Sequence, residues 1–139
     1  RSLISYFYKN SNYYKSNVSK MLMNLVAYVG KDKENWGQIT ALINRFECER
    51  VFIVKDKNSE IFPINEKCLV MEVDPTISLV NLKVQIQESL KKEFSNDFEV
   101  ALSLASGSGK EHMAVLSALL KLGVGIRLIV LTEKGALEL

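Results

Sequence analysis

The sequence predicts an α/β fold of the three-layer, Rossmann-like kind: a mostly parallel sheet of five to six strands with helices on both faces. Short continuous apolar runs alternate with segments whose apolar residues recur at helical spacing. Such alternation is typical of parallel strands joined by crossover helices. The length of 139 residues, with 47% hydrophobic and 24% charged residues, suits one globular domain.

The first strand is predicted at residues 22–29, an apolar run that Gly30 ends. A helix at roughly 33–46 follows, with Asp32 as its N-terminal cap. The apolar residues of this helix fall on one stripe, formed by Trp36, Ile39, Ile43 and Phe46. The second and third strands are predicted at 50–55 and 68–73.

The next helix, at residues 76–94, has the clearest helical pattern in the chain. Asp74 and Pro75 supply a cap and a proline for its first turn. Its apolar side consists of Leu79, Leu82, Ile86, Leu90 and Phe94.

A strand, a helix and two further strands complete the pattern. The strand is predicted at 98–105 and the helix at 111–122, which Gly123 ends. The buried stripe of this helix is predicted to be Met113, Leu116 and Leu120. The last two strands are predicted at 124–131 and 136–139.

The simplest strand order is 3-2-1-4-5, with right-handed crossovers. In such sheets ligands bind beyond the carboxyl ends of the strands, at the point where the order reverses. Here the order reverses between the first and fourth strands. The turns that follow these strands are residues 30–32 and 106–110, and both contain glycine and lysine.

The second turn has the chemistry of an anion site. Ser108 and Glu111 fit a capping box, which places Ser108 at the start of a helix. The backbone N–H groups of Gly109 and Lys110 then point out of the positive helix end. A tight turn without a ligand is the alternative. The predicted ligand-binding residues are Gly30, Lys31, Asp32, Ser106, Gly107, Ser108, Gly109 and Lys110.

No catalytic signature identifies an enzyme. A P-loop would require glycine in place of Leu104 and Ser or Thr in place of Glu111. His112, the one histidine, and Lys110 are the candidates for catalysis, although a packed histidine explains His112 more simply. We expect neither a metal site nor a cofactor.

Residues 1–20 are predicted to be an N-terminal extension outside the core, and residues 21–139 a single domain. The extension carries four basic and no acidic residues; the remainder carries 14 basic and 16 acidic residues. We therefore do not expect the core to bind nucleic acid. Two cysteines without metal spacing and no apolar run of membrane-spanning length indicate a cytoplasmic protein without a membrane partner.

The order of elements, together with residues 101–110 and the small-residue helix after them, resembles the CARF family of CRISPR-associated Rossmann-like domains. The resemblance covers roughly residues 23–139. In that family the turn after the fourth strand reads as a Ser/Thr-Gly-Gly-Thr-Lys-like run. Ser106, Gly107 and Lys110 match it, whereas Ser108 interrupts the paired glycines.

The resemblance implies a homodimer that binds cyclic oligoadenylate, a nucleotide second messenger, across its two-fold axis. The loops after the first and fourth strands would contact this ligand, with Gly30 and Lys31 in the first and 106–110 in the second. Some relatives cleave the ligand without a metal, using its own 2′-hydroxyl. The alternatives to a sensor are therefore such a phosphodiesterase, or a structural domain without a small-molecule ligand.

Overall fold

The computed structural model describes residues 23–94 and 97–139. The extension predicted at 1–20 and the first residue of the predicted first strand lie outside the described residues. The strands are β1 (Asn24–Val29), β2 (Val51–Asp56), β3 (Cys68–Val73), β4 (Glu99–Ser103), β5 (Gly125–Thr132) and β6 (Gly135–Glu138). The helices are a short 3-10 helix (Lys33–Asn35), α1 (Trp36–Arg45), α2 (Leu79–Lys91) and α3 (Gly109–Lys121).

The six strands form one sheet in the order β3-β2-β1-β4-β5-β6. Strands β1 to β5 are parallel, and β6 returns antiparallel to β5. The predicted α/β class and mostly parallel sheet are confirmed, and the strand order agrees with the prediction. The order reverses between β1 and β4, which pair directly, with Ala27 opposite Ser103.

Alternate residues of β1 belong to two different hydrophobic clusters. One contains Leu25, Ala27 and Val29 together with residues of α1. The other contains Val26 and Tyr28 together with residues of α2 and α3. Successive side chains of a strand point to opposite sides, so this one central strand contributes to both cores.

The start of α2 differs from the prediction. The helix begins at Leu79 because the Ser78 side chain caps it, accepting the Asn81 N–H at 3.2 Å. Asp74, the predicted cap, accepts the Thr76 N–H at 2.9 Å and forms a turn before the helix. The residues after proline therefore form a connecting turn rather than a first helical turn.

The predicted buried stripe of α3 is wrong at two of its three residues; the third, Leu116, is partly buried and packs against the core. Met113 and Leu120 are 56% and 67% exposed. The residues that α3 buries are Ala114, Val115, Ala118 and Leu119. The prediction followed the largest apolar residues, but the two alanines let the helix pack closely, and they fix which side faces inward.

Among residues 23–94 and 97–139, none of the helices combines the length and the apolar character that crossing a bilayer requires.

Candidate functional site

Two loops lie side by side at the carboxyl edge of the sheet. The first loop, residues 30–32, follows β1, and the second loop, residues 106–110, leads from β4 into α3. Because β1 and β4 are parallel neighbours, both loops leave the sheet at the same edge. This is the place where open parallel sheets bind ligands.

Ser106 joins the two loops. Its side chain is fully buried, and its Oγ accepts the Gly30 N–H at 2.8 Å. The same hydroxyl donates to Asp32 Oδ1 at 2.5 Å. The loops are also close enough that a Cβ on Gly30 would lie 3.2 Å from the Gly107 Cα. The loops are therefore in direct contact, as the strand order predicts.

Asp32 does not cap a helix with its side chain, contrary to the prediction. It precedes the 3-10 helix, but its carboxylate makes no capping hydrogen bond there. Instead it accepts the Gly107 N–H, at 3.1 Å to Oδ1 and 3.2 Å to Oδ2. Asn35 Nδ2 donates to Oδ2 at 2.7 Å. The physical reason is that Ser106 and Gly107 offer better-placed donors than the first helical turn.

The hydrogen bonds at Asp32 also determine its ionisation. Burial acts to raise the pKa of this carboxyl group, but hydrogen bonds from Ser106, Asn35 and Gly107 outweigh burial. The pKa of Asp32 is therefore lowered from its ordinary value. The carboxylate is held as an anion between the two loops.

The start of α3 follows the predicted capping box. Ser108 is the N-cap residue, and its N–H and Oγ donate to the Glu111 carboxylate at 3.2 and 2.8 Å. Within the described part of the chain, the backbone N–H groups of Gly109 and Lys110 have no acceptor. These two amides, at the positive end of a 13-residue helix, are the donors that remain for an external anion.

Gly107 lies against the ring of Tyr28. Its φ of +93° is in the region that favours glycine. A Cβ at this position would lie 2.6 and 2.8 Å from Cδ2 and Cε2 of Tyr28, and 3.4 Å from His112 Nε2. Both the backbone conformation and the lack of space therefore require glycine here.

Tyr28 is a residue of the site that the sequence reasoning missed. It is fully buried, and its hydroxyl has no hydrogen-bond partner among the described residues. Burial raises the pKa of its phenol, and the charges of Glu111, Asp56 and Asp32 raise this pKa further. The signal available in the sequence was one hydroxyl in an otherwise aliphatic stretch, next to the glycine that ends the strand.

The two candidate catalytic side chains both have partners in the fold. Lys110 Nζ donates to the carbonyl oxygen of Pro75 at 2.7 Å, which connects the second loop to the turn after β3. His112 Nε2 lies 2.7 Å from the Ser106 carbonyl oxygen. A carbonyl only accepts, so this nitrogen carries a hydrogen, and Nδ1 remains for any other contact.

Trp36 holds the first loop through a hydrogen bond to its backbone. Its indole Nε1 donates to the Gly30 carbonyl at 3.0 Å, and the side chain is 9% exposed. Lys31 lies between Gly30 and Asp32, which both form hydrogen bonds, and Lys31 itself is exposed. The first loop therefore presents one basic side chain on a fixed backbone.

Other features lie away from the loops. A cavity of about 360 Å³ is lined by Gln87, Lys91, Phe94, Asp97, Lys121, Leu122 and Val124, at the far ends of α2 and α3. It contains none of the predicted site residues. No cluster of three or more potential metal ligands is present in the part of the chain that the structure describes.

No protein-family model matches this sequence. A comparison with curated proteins likewise finds no match. The function is therefore argued from the two loops and the residues around them.

Proposed function

We propose that this chain is a binding domain for a nucleotide second messenger of the cyclic oligoadenylate kind and that it acts as a homodimer. The observation that supports this proposal is the direct contact between the first and second loops at the point where strand order reverses. A phosphate there would meet the free N–H groups of Gly109 and Lys110. Lys31 supplies an exposed cationic side chain on the neighbouring loop.

The proposal includes the three-layer arrangement, with helices on both faces of the sheet. It is supported by the two clusters to which alternate residues of β1 belong. In this arrangement α1 covers one face and the α2–α3 pair covers the other. Both loops then lie at the carboxyl edge of the sheet, between these two layers.

The dimer is supported by an exposed apolar stripe on α3. Met113 and Leu120 lie on the side opposite the buried residues, and each is more than half exposed. Large apolar side chains that lie together on one helix face offer a surface that a second copy could cover. A second copy that covers this stripe would bring its own second loop near the first, because the stripe begins beside that loop.

We propose binding without cleavage as the main activity. His112 Nε2 is engaged by the Ser106 carbonyl, and Lys110 Nζ by the Pro75 carbonyl. A general base needs a free nitrogen within reach of the substrate proton. The Pro75 contact withholds Lys110 Nζ, and His112 keeps only Nδ1 for this role. The phosphodiesterase alternative would have to use His112 Nδ1 as its base.

Isothermal titration calorimetry with cyclic tetra-adenylate and cyclic hexa-adenylate tests the proposal. We expect saturable binding of one ring per two chains, weakened at least tenfold in Lys31→Glu because that variant places negative charge in the first loop. The matched control is Lys134→Glu, which makes the same charge change in the β5–β6 turn. Absence of binding by the unaltered chain would contradict the proposal.

Incubation of the same ligands with the protein in the presence of a chelator separates binding from cleavage. Intact ligand after binding supports the sensor. Linear products would instead favour the phosphodiesterase.

A further inference from the structure

The Asp32 carboxylate occupies a position that is built for an anion. Three donors converge on it: the Ser106 hydroxyl at 2.5 Å, Asn35 Nδ2 at 2.7 Å and the Gly107 N–H at 3.1 Å. Two of these donors belong to the second loop, directly before α3. Convergent hydroxyl and amide donors at the start of a helix are the usual surroundings of a bound phosphate.

Tyr28, whose ring lies against Gly107, is a second and independent feature beside this position. The residue is fully buried against Gly107, yet its hydroxyl has no partner among the described residues. A buried hydroxyl without a partner is destabilising relative to a satisfied one. Such a group is consistent with a second state of the loop, in which the hydroxyl donates to an incoming oxygen.

A phosphate and the Asp32 carboxylate cannot share the Gly107 amide. Two negative charges at hydrogen-bond distance from the same amide repel each other strongly near a protein surface. An external anion at this amide therefore requires that the carboxylate leave it.

We propose that the Asp32 carboxylate is an internal substitute for a ligand phosphate: it occupies the phosphate position in the unbound protein and leaves that position when the phosphate binds. The Tyr28 hydroxyl then donates a hydrogen bond to that phosphate. This inference rests on the proposed function, because it concerns the same site. It makes Asp32 the residue that sets the affinity for anions. The ligands it concerns are phosphate esters, which combine negative charge with several acceptor oxygens.

Inorganic phosphate, followed through the Gly107 backbone amide by NMR, is the direct probe. We expect Asp32→Asn to bind phosphate at least about tenfold more tightly than the unaltered chain, because the competing charge is gone while an acceptor remains. The matched control is Asp74→Asn, which removes a carboxylate from the turn after β3. Asp74 makes its hydrogen bonds to Thr76 rather than to the loops, so its loss should leave phosphate affinity within about twofold.

The role of Tyr28 is tested in the Asp32→Asn background. Adding Tyr28→Phe should weaken phosphate binding at least about tenfold, since hydrogen bonds to charged groups are stronger than those between neutral groups. Tyr28→Phe is a conservative change that keeps the ring under Gly107. Unchanged phosphate affinity in the double variant would refute the assigned hydroxyl contact.

The failure of this inference differs from the failure of the proposed function. If cyclic tetra-adenylate binds and Asp32→Asn changes neither its affinity nor that of phosphate, the internal-substitute role is overturned while the function stands. If cyclic tetra-adenylate does not bind but phosphate binds Asp32→Asn more tightly, the function fails and the role of Asp32 stands.

Discussion

Gly107 provides the sharpest test of how the second loop is built, through its replacement by alanine. Its φ of +93° costs an alanine about 1–2 kcal/mol. The new Cβ would also lie 2.6 Å from Tyr28 Cδ2, about 1 Å inside an ordinary carbon–carbon contact. Overpacking of this degree costs about 1–3 kcal/mol. Gly107→Ala should therefore lower the free energy of unfolding by about 2–5 kcal/mol.

Chemical denaturation followed by the fluorescence of Trp36 measures this loss. For a domain of this size the melting temperature should fall on the order of 10–20 °C. Gly109→Ala is the matched control, because a Cβ there meets nothing within 4 Å and its φ is not positive. This control should be unchanged, or more stable by up to about 1 kcal/mol.

A double-mutant cycle separates the two contributions. If contact with the Tyr28 ring is one of them, Gly107→Ala should cost about 1–3 kcal/mol less in a Tyr28→Ala background. A Gly107→Ala variant as stable as the unaltered chain would refute the reasoning, because neither strain nor overlap would then exist.

Three further predictions concern other parts of the structure. Leu119→Ala should destabilise the domain by about 2–5 kcal/mol and Leu120→Ala by less than about 0.5 kcal/mol; equal effects would contradict the observed orientation of α3. Ser106→Ala should cost about 1–3 kcal/mol because it leaves a loop amide without its acceptor, whereas Ser103→Ala, at a similarly buried hydroxyl that has no partner among the described residues, should cost nothing measurable. Because the pKa of Asp32 is lowered by folding, its stabilising contribution is complete above the ordinary carboxyl pKa of about 4 and is lost as pH falls through the lowered value; urea denaturation across this range should show a smaller acid dependence for Asp32→Asn, and identical slopes would contradict the assignment.

The strands of the sheet could be predicted from the sequence because most of them are continuous apolar runs. Cys68–Val73 was predicted with the bounds that the structure has. The order of strands followed from connection rules, and the contact between the two loops followed from that order. The capping box at Ser108 was likewise readable, because it depends on two residues three positions apart.

Predictions failed where contacts between distant segments decide the outcome. Asp32 suits a local helix cap, but its partner Ser106 lies 74 residues away, and no local pattern contains that contact. The side of α3 that faces inward depends on two alanines. Their small side chains allow close packing, which a search for the largest apolar residues does not detect. The part that Tyr28 plays depends on its contact with Gly107, which is distant in the sequence, so no local pattern contains it.

The central claim is that the two loops together bind a phosphate-bearing nucleotide. Two-dimensional amide NMR during a titration with cyclic tetra-adenylate tests it most directly. The account predicts saturable shifts confined to residues 30–32 and 106–110, their immediate neighbours and any dimer contact on α3. Absence of shifts, or shifts centred on the cavity beside Gln87, Lys91 and Lys121, would contradict it.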